Sequence, residues 1–346
     1  MAYTTIDDPT IYFNTKLYTG NGSTQSITGV GFQPDWVWIK DRGSNSHRLT
    51  DSVRGATKVL YSDLNFAEAT DADTIQSFDS DGFTLDDDAD TNGNGQNFAS
   101  WNWSAGGSAS SNSNGSITSS VSANTTAGFS IVSYTGNGTQ GATVGHGLAI
   151  KPSWILVKRR DSTSDWLNYH SSLGATKSIF LNATHASGTY NYWNSTEPTS
   201  SVFEIFSSTS AAINASGGTY IAYCFAEKKG YSKFGSYTGN GNADGTFVYT
   251  GFKPAWVMFK GSSFSGENWD MYDNKRETFN VMDTTLKADS SGAESSNSLF
   301  NVDFLSNGIK LRNGHTGTNQ SGSTYIYMAF AESPFVNSNG IPTNAR

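Results

Sequence analysis

The sequence predicts an all-β protein made of three similar repeats of antiparallel strands. The pentapeptide Tyr-Thr-Gly-Asn-Gly occurs three times, and its copies begin 116 and 103 residues apart, at Tyr18, Tyr134 and Tyr237. Each copy is followed by an apolar residue, a variable residue, proline, another variable residue and a tryptophan, namely Trp36, Trp154 or Trp256. The composition agrees, because 36 glycines and 13% aromatic residues suit turns and strands, whereas only 15% of residues are charged.

The two motifs place the first two strands of each repeat. The tyrosine of the pentapeptide ends the first strand, and the Gly-Asn-Gly after it predicts a hairpin turn. The second strand starts at the prolines Pro34, Pro152 and Pro254, since proline is tolerated at the first residue of a strand and not in its middle. Continuous apolar residues after each tryptophan, such as Val37-Trp38-Ile39, indicate a strand buried on both faces. We therefore expect the three tryptophans to be buried in equivalent places.

Further signals place the later strands. Asp81-Gly82 and Asn307-Gly308 stand between apolar residues and predict two more hairpins. An aromatic strand closes each repeat, over residues 98–103, 220–225 and 325–330. Partial helix is expected in the middle of the first two repeats, where Gly-Ala-Thr-Lys recurs, over residues 52–61 and 172–181.

The repeat period favours three domains in tandem. A unit of roughly 100 residues is large enough to bury its own core, so we expect three antiparallel β-sandwich modules that are jelly-roll-like. Glycine and serine dominate residues 106–125, which predicts a flexible linker. The expected organisation is an N-terminal arm (1–10), module 1 (11–105), the linker, module 2 (126–230), module 3 (231–335) and a C-terminal tail (336–346).

Charge and hydropathy exclude several classes of function. The net charge is −8, and the basic clusters are short, so we expect no nucleic-acid binding. No run of about 18 apolar residues occurs, so we expect no membrane insertion. The N-terminal sequence has neither a basic start nor an apolar segment, so we expect synthesis in the cytoplasm without a signal peptide. Cys224 is the single cysteine, which excludes an intrachain disulfide.

The sequence carries no recognisable catalytic motif. The five histidines lie in five different contexts, and none has the spacing of a zinc site or a nucleophile motif. The residues that recur between copies are aromatic residues, glycine and proline, which are architectural. We therefore expect no catalytic residues and no enzymatic activity.

One segment matches the first half of a calcium loop. Asp88, Asp90 and Asn92 are spaced as oxygen ligands, and Gly93 follows at the sharp turn. The twelfth position of such a loop is Ala99, where a carboxylate is expected, and the other repeats lack the pattern. The alternative interpretation is an acidic, solvated loop. Calcium is the one cofactor for which the sequence offers ligands.

Aromatic residues outside the recurrent positions raise a second hypothesis, the binding of a glycan. Tyr190, Tyr192 and Trp193 lie in a polar stretch with little apolar company. Exposed tyrosine and tryptophan rings have an apolar face that can stack on a sugar. The alternative is that these rings pack against the adjacent module.

Several longer strings carry a family resemblance. They are Tyr-Ile-Ala-Tyr-Cys-Phe-Ala-Glu-Lys at 220–228, Tyr-Ser-Lys-Phe-Gly at 231–235, Tyr-Ile-Tyr-Met-Ala-Phe-Ala-Glu at 325–332, and the C-terminal segments 334–340 and 344–346. In these strings the chain resembles an uncharacterised repeat-domain family of virion structural proteins from marine tailed bacteriophages. The resemblance covers nearly the whole chain, is strongest from residue 126 onward and is weaker in module 1, which ends in Trp101-Asn102-Trp103.

The resemblance implies a structural protein of the phage particle, located in the virion, with no catalytic residues. The favoured expectation is a tail-fibre or adhesin-type component, in which tandem modules project from the particle and the distal one contacts a host surface glycan. The alternatives are a capsid-decoration protein, since three similar modules suit a pseudo-threefold arrangement of coat subunits, and a free glycan-binding lectin. Expected partners are other virion proteins of the tail or capsid and further copies of the chain.

Overall fold

The computed structural model describes residues 3–206 and 212–344, which form antiparallel β-sheets. The predicted all-β class is confirmed, because strands dominate and the helices are single turns. Met1 and Ala2 of the expected arm, and Ala345 and Arg346 of the expected tail, lie outside the described residues. We refer to residues 11–105, 126–230 and 231–335 as repeats 1, 2 and 3.

Repeat 1 is built from short strands and one helical turn. Its strands are β1 (Phe13–Thr19), β2 (Gln25–Thr28), β3 (Trp36–Asp41), β4 (Arg48–Asp51), β5 (Lys58–Val59), β6 (Ala69–Thr70), β7 (Ile75–Asp79), β8 (Gly82–Leu85) and β9 (Asn97–Trp103). The helical turn is α1 (Ala89–Asn92), and a 3-10 helix at Pro9–Ile11 precedes β1.

Repeats 2 and 3 follow the same plan. Two strands lie between repeats 1 and 2, namely β10 (Ser110–Asn112) and β11 (Ser119–Asn124). The strands of repeat 2 are β12 (Phe129–Thr135), β13 (Ala142–Gly145), β14 (Trp154–Arg159), β15 (Leu167–His170), β16 (Lys177–Phe180), β17 (Gly188–Thr189), β18 (Val202–Ile205) and β19 (Thr219–Phe225). The elements of repeat 3 are β20 (Ser232–Thr238), β21 (Phe247–Tyr249), β22 (Phe252–Gly261), β23 (Asp270–Asp273), β24 (Thr284–Lys287), β25 (Ser295–Ser296), a 3-10 helix (Ser298–Phe300), β26 (Val302–Leu305), β27 (Gly308–Leu311), α2 (Thr316–Asn319) and β28 (Thr324–Pro334).

Each repeat has a large sheet with the same strand order. The first strand pairs with the closing aromatic strand, and the closing strand pairs with the tryptophan strand. The tryptophan strand pairs on its other side with the strand that follows it in the chain. The orders are β1-β9-β3-β4, β12-β19-β14-β15 and β20-β28-β22-β23. β3 is buried along its whole length, as its apolar run predicts. Pro254 lies at an irregularity in the β22 ladder, where a missing N–H does not interrupt regular pairing.

A smaller sheet covers the outer face of each large sheet. These small sheets are β2-β8-β7, β13-β18 and β21-β27-β26. The hairpins predicted at Asp81-Gly82 and Asn307-Gly308 are confirmed as β7–β8 and β26–β27. In repeat 1, Val37 and Ile39 of the large sheet form one apolar cluster with Phe83 of the small sheet. Successive side chains of a strand point to opposite faces of its sheet. The small sheets thus bury those side chains of the tryptophan strands that point to the outer face.

The inner faces of the three large sheets share a single core. Trp36, Trp154 and Trp256 are 1%, 0% and 0% exposed, so their predicted burial is confirmed. Trp36 stacks on Tyr223 of repeat 2 with 4.4 Å between ring centroids, and Trp103 meets Trp256 of repeat 3 edge to face at 5.9 Å. The cluster takes residues from all three repeats. The expected row of modules with separate cores is therefore corrected to three repeats closed around a common core.

Equivalent contacts recur around this core. A ring nitrogen at the start of the fourth large-sheet strand reaches a main-chain oxygen of the neighbouring repeat in each case. The pairs are Trp166 Nε1 with Tyr61 O, Trp269 Nε1 with Phe180 O and His47 Nε2 with Lys287 O, at 2.7, 2.9 and 2.9 Å. Repeat 2 thus contacts repeat 1, repeat 3 contacts repeat 2, and repeat 1 contacts repeat 3. The arrangement is a closed ring with pseudo-threefold symmetry.

Residues 106–125 are folded, which corrects the prediction of a flexible linker. β10 pairs with β11, and β11 pairs with β12 of repeat 2, so the segment extends the large sheet of that repeat. Ile117 and Val121 are buried. A Cβ at Gly106 would lie 2.5 Å from Ala123 O, so this glycine permits close main-chain packing. The Gly/Ser composition was read as flexibility, but the small residues serve packing here.

The two segments with expected partial helix contain turns followed by strands. Residues 52–57 form turns, and β5 follows; residues 171–176 are equivalent, and β16 follows. The Asp51 carboxylate accepts the main-chain N–H groups of Val53 and Arg54, which holds the chain in a turn at the point where a helix would start.

Candidate functional site

The asparagine of each pentapeptide is held by a second asparagine far along the chain. The main-chain N–H groups of Asn21, Asn137 and Asn240 donate to the side-chain Oδ1 atoms of Asn92, Asn214 and Asn319, at 3.0, 2.9 and 3.0 Å. Gly-Asn-Gly is thus the corner where the chain leaves the large sheet for the small one. The predicted hairpin is wrong, because β1 and β2 belong to different sheets.

We call this contact between the two asparagines the asparagine lock, and the sequence carries a signal for it. Each of the second asparagines is followed three residues later by a glycine with positive φ, namely Gly95, Gly217 or Gly322. The tyrosine hydroxyl of each pentapeptide donates to the main-chain oxygen one residue before the second asparagine, as Tyr18 does to Thr91 at 2.7 Å. Tyr18, Tyr134 and Tyr237 are therefore structural, as predicted for the recurrent positions.

The predicted calcium ligands have separate protein partners. Asn92 uses its amide in the lock, where Nδ2 donates to Ser23 O at 2.6 Å and to Asp86 O at 2.7 Å. Asp90 forms an ion pair with Arg48, and Asp88 accepts a hydrogen bond from Thr91 at 3.0 Å. No group of three or more His, Cys, Asp or Glu residues in 3–206 and 212–344 is arranged to hold a metal ion. The geometry does not support calcium at this turn.

The loop proposed for glycan binding is largely packed. Trp193 is 1% exposed, and its Nε1 donates to Ser178 Oγ at 2.8 Å, so the hypothesis that this ring meets a sugar is wrong. Tyr190 and Tyr192 stack on each other at 5.4 Å, and both rings contact Phe180. Tyr190 remains 38% exposed. The aromatic loop is therefore chiefly part of the repeat 2 core, and a role for its two tyrosines in glycan binding stays a prediction.

A buried ionic network joins repeats 1 and 2. Arg54 pairs with Asp51, and neither side chain is exposed. The Tyr223 hydroxyl of repeat 2 donates to Asp51 Oδ2 at 2.7 Å, and burial raises the pKa of Tyr223 well above its usual value. Glu68 lies 3.2 Å from Arg54 and 2.8 Å from Arg160 of repeat 2. Every charge has a partner, which is what burial of charge requires.

The same network recurs between repeats 3 and 1. Arg276 pairs with Asp273 at 2.6 Å, and Trp101 of repeat 1 donates through Nε1 to the same carboxylate at 3.2 Å. Glu294 accepts from Arg276 at 3.1 Å and from Arg42 of repeat 1 at 2.6 Å. Trp101 and Tyr223, at equivalent positions, thus play the same part at their two interfaces.

The interface between repeats 2 and 3 replaces the ions with neutral groups. His170 stands where the other repeats have aspartate, and Leu173 stands where they have arginine. Burial lowers the pKa of His170 to about 4, so the ring is neutral at physiological pH. Ser187 donates its main-chain N–H to Ser262 O at 3.0 Å. At the other two interfaces the same main-chain bond joins a glutamate and an arginine, whose side chains also form an ion pair. His170 is fully buried.

The lysine that closes each tryptophan strand is buried. Burial lowers the pKa of Lys40, Lys158 and Lys260 to about 8. Their ammonium groups bond to main-chain oxygens, and Lys158 reaches Asn65 O of repeat 1 at 3.3 Å. The lysine occurs in all three repeats, and main-chain carbonyl oxygens accept its hydrogen bonds. We therefore assign it a structural role.

A polar cleft of about 500 Å³ lies where repeats 1 and 3 meet. Arg42 and Glu294 line it. The Nε and one terminal nitrogen of Arg42 donate to the two carboxylate oxygens of Glu294. Its other lining groups include Ser44, Asn45 and Gln96. Asp41 also lines the cleft, which is therefore rich in polar and charged groups.

The outer faces of the small sheets differ between repeats 1 and 3. In repeat 3, β21 presents Phe247 and Tyr249 outward, 43% and 53% exposed. The equivalent residues of β2 in repeat 1 are Ser26 and Thr28, which are exposed and polar. This exposed aromatic face of repeat 3 is the candidate functional surface, because no packing requirement explains it.

The comparisons with known proteins identify the family. The description "domain of unknown function (DUF7483)" belongs to the family that matches residues 8–334. The chain belongs to the DUF7483 family. No curated protein and no solved structure matches this DUF7483 chain. A single match across all three repeats agrees with a shared core, because the three repeats form one structural unit.

The DUF7483 chain therefore combines a buried frame that recurs in all three repeats with outer faces that differ between repeats 1 and 3. None of the helices among its described residues has the length and apolar character that a bilayer crossing requires. Two buried ionic networks join repeat 1 to repeat 2 and repeat 3 to repeat 1. The outer faces of the small sheets of repeats 1 and 3 differ in their aromatic residues.

Proposed function

We propose that this DUF7483 chain is a non-enzymatic structural protein of a phage particle and decorates the capsid at positions of local threefold symmetry. The observation that carries the proposal is the closed ring, in which equivalent contacts link each repeat to its neighbour. A ring of three similar lobes offers three similar surfaces around one axis. Such a body is complementary to three coat subunits arranged around an axis of their own.

The ring favours decoration over the tail-fibre role that the sequence suggested. A fibre of tandem modules gains reach when its modules stand in line. Here Trp36, Trp103 and Trp256 meet in a common core, so the three repeats add breadth and not length. The assignment to a virion rests on the sequence resemblance, and the choice of location rests on the ring.

A structural role also agrees with the distribution of charge. Asp51, Arg54, Asp273 and Arg276 are fully or almost fully buried and fully paired. Removal of one member of such a pair is costly, which favours a body that keeps one shape. Contacts with coat subunits and with neighbouring copies of the chain would use the exposed outer faces.

Copy number on the particle tests this proposal. Particles are purified from the lysate of the producing culture, and the chain and the major coat protein are quantified by mass spectrometry with labelled peptides. A fixed ratio to the coat protein, set by the number of threefold positions, is expected. A handful of copies per particle would indicate a tail appendage, and absence from the particles would contradict a virion role.

A further inference from the structure

The exposed aromatic face of repeat 3 lies on an edge strand. Phe247 and Tyr249 are two residues apart in β21, so both side chains point outward, while Val248 between them is 4% exposed and faces the core. Two large aromatic rings at 43% and 53% exposure are unusual neighbours on an otherwise polar surface.

A glycine lies beside the two rings. Tyr249 pairs with Gly308, and Leu305 lies on the other side of that glycine. A Cβ at Gly308 would lie 2.3 Å from Val248 O and 2.9 Å from the ring of Phe247. The missing side chain therefore leaves room for the Phe247 ring beside the main chain, and this ring is 43% exposed.

Charged and hydroxyl groups surround these rings. Lys310 Nζ lies 2.8 Å from Asp244, and Arg312 Nε lies 3.4 Å from Asp303. The Tyr249 hydroxyl lies 3.1 Å from the Tyr3 hydroxyl of the N-terminal arm. The two cations and two carboxylates balance, so this rim does not favour a ligand with net charge. It does offer donors and acceptors for a ligand with many hydroxyl groups.

The fold does not require aromatic residues at these positions. Repeat 1 has Ser26 and Thr28 there, and Ser26 forms a hydrogen bond of 2.9 Å with Thr84 across the sheet. Repeat 1 also has Asp79 at the position of Leu305. The same frame is thus stable with a wholly polar outer face, so the aromatic face of repeat 3 needs a separate explanation.

We infer that the outer face of β21, β27 and β26 binds a neutral oligosaccharide, with sugar rings stacked on Phe247 and Tyr249. The C–H groups on one face of a pyranose ring carry partial positive charge and match the negative face of an aromatic ring. The sugar hydroxyls then meet Lys310, Asp303 and their partners. A stable protein interface buries roughly 800 Å² on each partner, and two rings with a charged rim provide a much smaller apolar surface.

The test exchanges the face of repeat 3 for that of repeat 1. The double variant F247S/Y249T carries the repeat 1 residues at both positions, which are exposed, so the thermal midpoint should be unchanged. The native protein is screened on an array of neutral hexose and pentose oligosaccharides, and a positive oligosaccharide is titrated by calorimetry. Binding should weaken at least tenfold in the double variant, whereas Y249F should retain most of it.

Phe66→Ser provides the matched control, because Phe66 is an exposed aromatic residue of repeat 1, 54% exposed, and so lies outside the small sheet of repeat 3. It should bind as the native protein does. The inference is overturned if the native protein binds no neutral oligosaccharide at millimolar concentration, or if the double variant binds equally well. Self-association in sedimentation experiments that disappears in the double variant, without sugar binding, would identify a protein contact and also overturn it. None of these outcomes depends on the position of the chain in a particle.

Discussion

At the residue scale, the second asparagine of each repeat explains why the pentapeptide recurs. Asn92 is fully buried and satisfies the Asn21 N–H, Ser23 O and Asp86 O at the corner between two sheets. An alanine at this position keeps the backbone but leaves these groups without partners. Asn92→Ala is therefore expected to lower the free energy of unfolding by about 2–3 kcal/mol, measured by urea denaturation.

Asn94 supplies the control for this substitution. It lies in the same turn and is exposed, so Asn94→Ala should change the free energy of unfolding by less than about 0.5 kcal/mol. If both substitutions lower the free energy of unfolding equally, the loss of any asparagine destabilises the turn. The hydrogen bonds of Asn92 would then not explain its effect.

A second residue-scale prediction concerns a buried carboxyl group. Burial raises the pKa of Asp270 from 3.8 to about 7, with Asp289 and Glu267 acting in the same direction and Lys287 and Lys260 against it. The folded protein thus holds this proton more tightly than the unfolded chain does. The contribution of Asp270 to stability is present below about pH 4 and is lost as the pH rises through about 7.

Asp270→Asn removes this titration while it keeps the shape of the side chain. The variant should gain stability relative to the native protein between about pH 5 and about pH 8, on the order of 1–3 kcal/mol. Urea denaturation at both pH values measures the difference. A stability gap that does not change with pH would contradict the assigned titration.

At the element scale, the three interfaces offer an internal comparison. Asp51 and Arg54 occupy the positions of His170 and Leu173. Arg54→Leu alone leaves Asp51 buried beside the Tyr223 hydroxyl without its cation, and it should cost about 3–5 kcal/mol. The double variant D51H/R54L reproduces the neutral pair of the other interface and should recover at least about 1–2 kcal/mol of that loss.

A double-mutant cycle measured by urea denaturation tests this compensation. The single variant Asp51→His completes the cycle, because it leaves Arg54 without its closest carboxylate. If the double variant is as unstable as the sum of the two single variants, the neutral pair at the third interface is not an equivalent solution.

Several strands could be predicted from the sequence, because they follow from local patterns. Proline before tryptophan placed β3, β14 and β22, and Asn-Gly between apolar residues placed the hairpin of β26 and β27. The segment 106–125 could not be predicted, because glycine and serine serve both flexible chains and close packing. Its order comes from pairing with β12, which is a contact outside the segment.

The candidate site was harder to predict for the same reason. Phe247 and Tyr249 alternate with Val248, which predicts a strand with one exposed face, but exposure of an aromatic residue depends on what covers it. Trp193 lies in a polar stretch of sequence but is buried, because Tyr169 and Phe203 pack against it. Comparison between repeats was the useful signal, since Ser26 and Thr28 mark the positions where the fold tolerates polar residues.

At the scale of the whole molecule, the ring closes at an interface that no linker spans. Repeats 1 and 3 meet through Trp101 and Asp273 and through Arg42 and Glu294. The N-terminal arm adds to this closure, because the Tyr3 hydroxyl donates to Gly251 O at 2.8 Å. Trp101 and Asp273 are 172 positions apart in the sequence. No local sequence pattern predicts a contact over that separation.

The shared core predicts that repeat 1 does not fold as an independent domain. The chain is split before Gly107, at the start of a bend, and the fragments 1–106 and 107–346 are produced together and separately. Together they should co-purify as a one-to-one complex with the near-ultraviolet circular dichroism of the intact protein. Apart they should lack that signal, because separation exposes the rings of Trp36, Trp103 and Trp256 to water.

Trp101→Phe in the short fragment tests whether the complex uses the ring contacts. It removes the hydrogen bond to Asp273 but retains an aromatic ring, so it should weaken association of the fragments about tenfold, which corresponds to about 1.4 kcal/mol. Fragments that fold separately and do not associate would restore the picture of modules in tandem. Because a tandem array and a closed ring present different surfaces to a coat lattice, that result would also remove the geometric support for a decoration role.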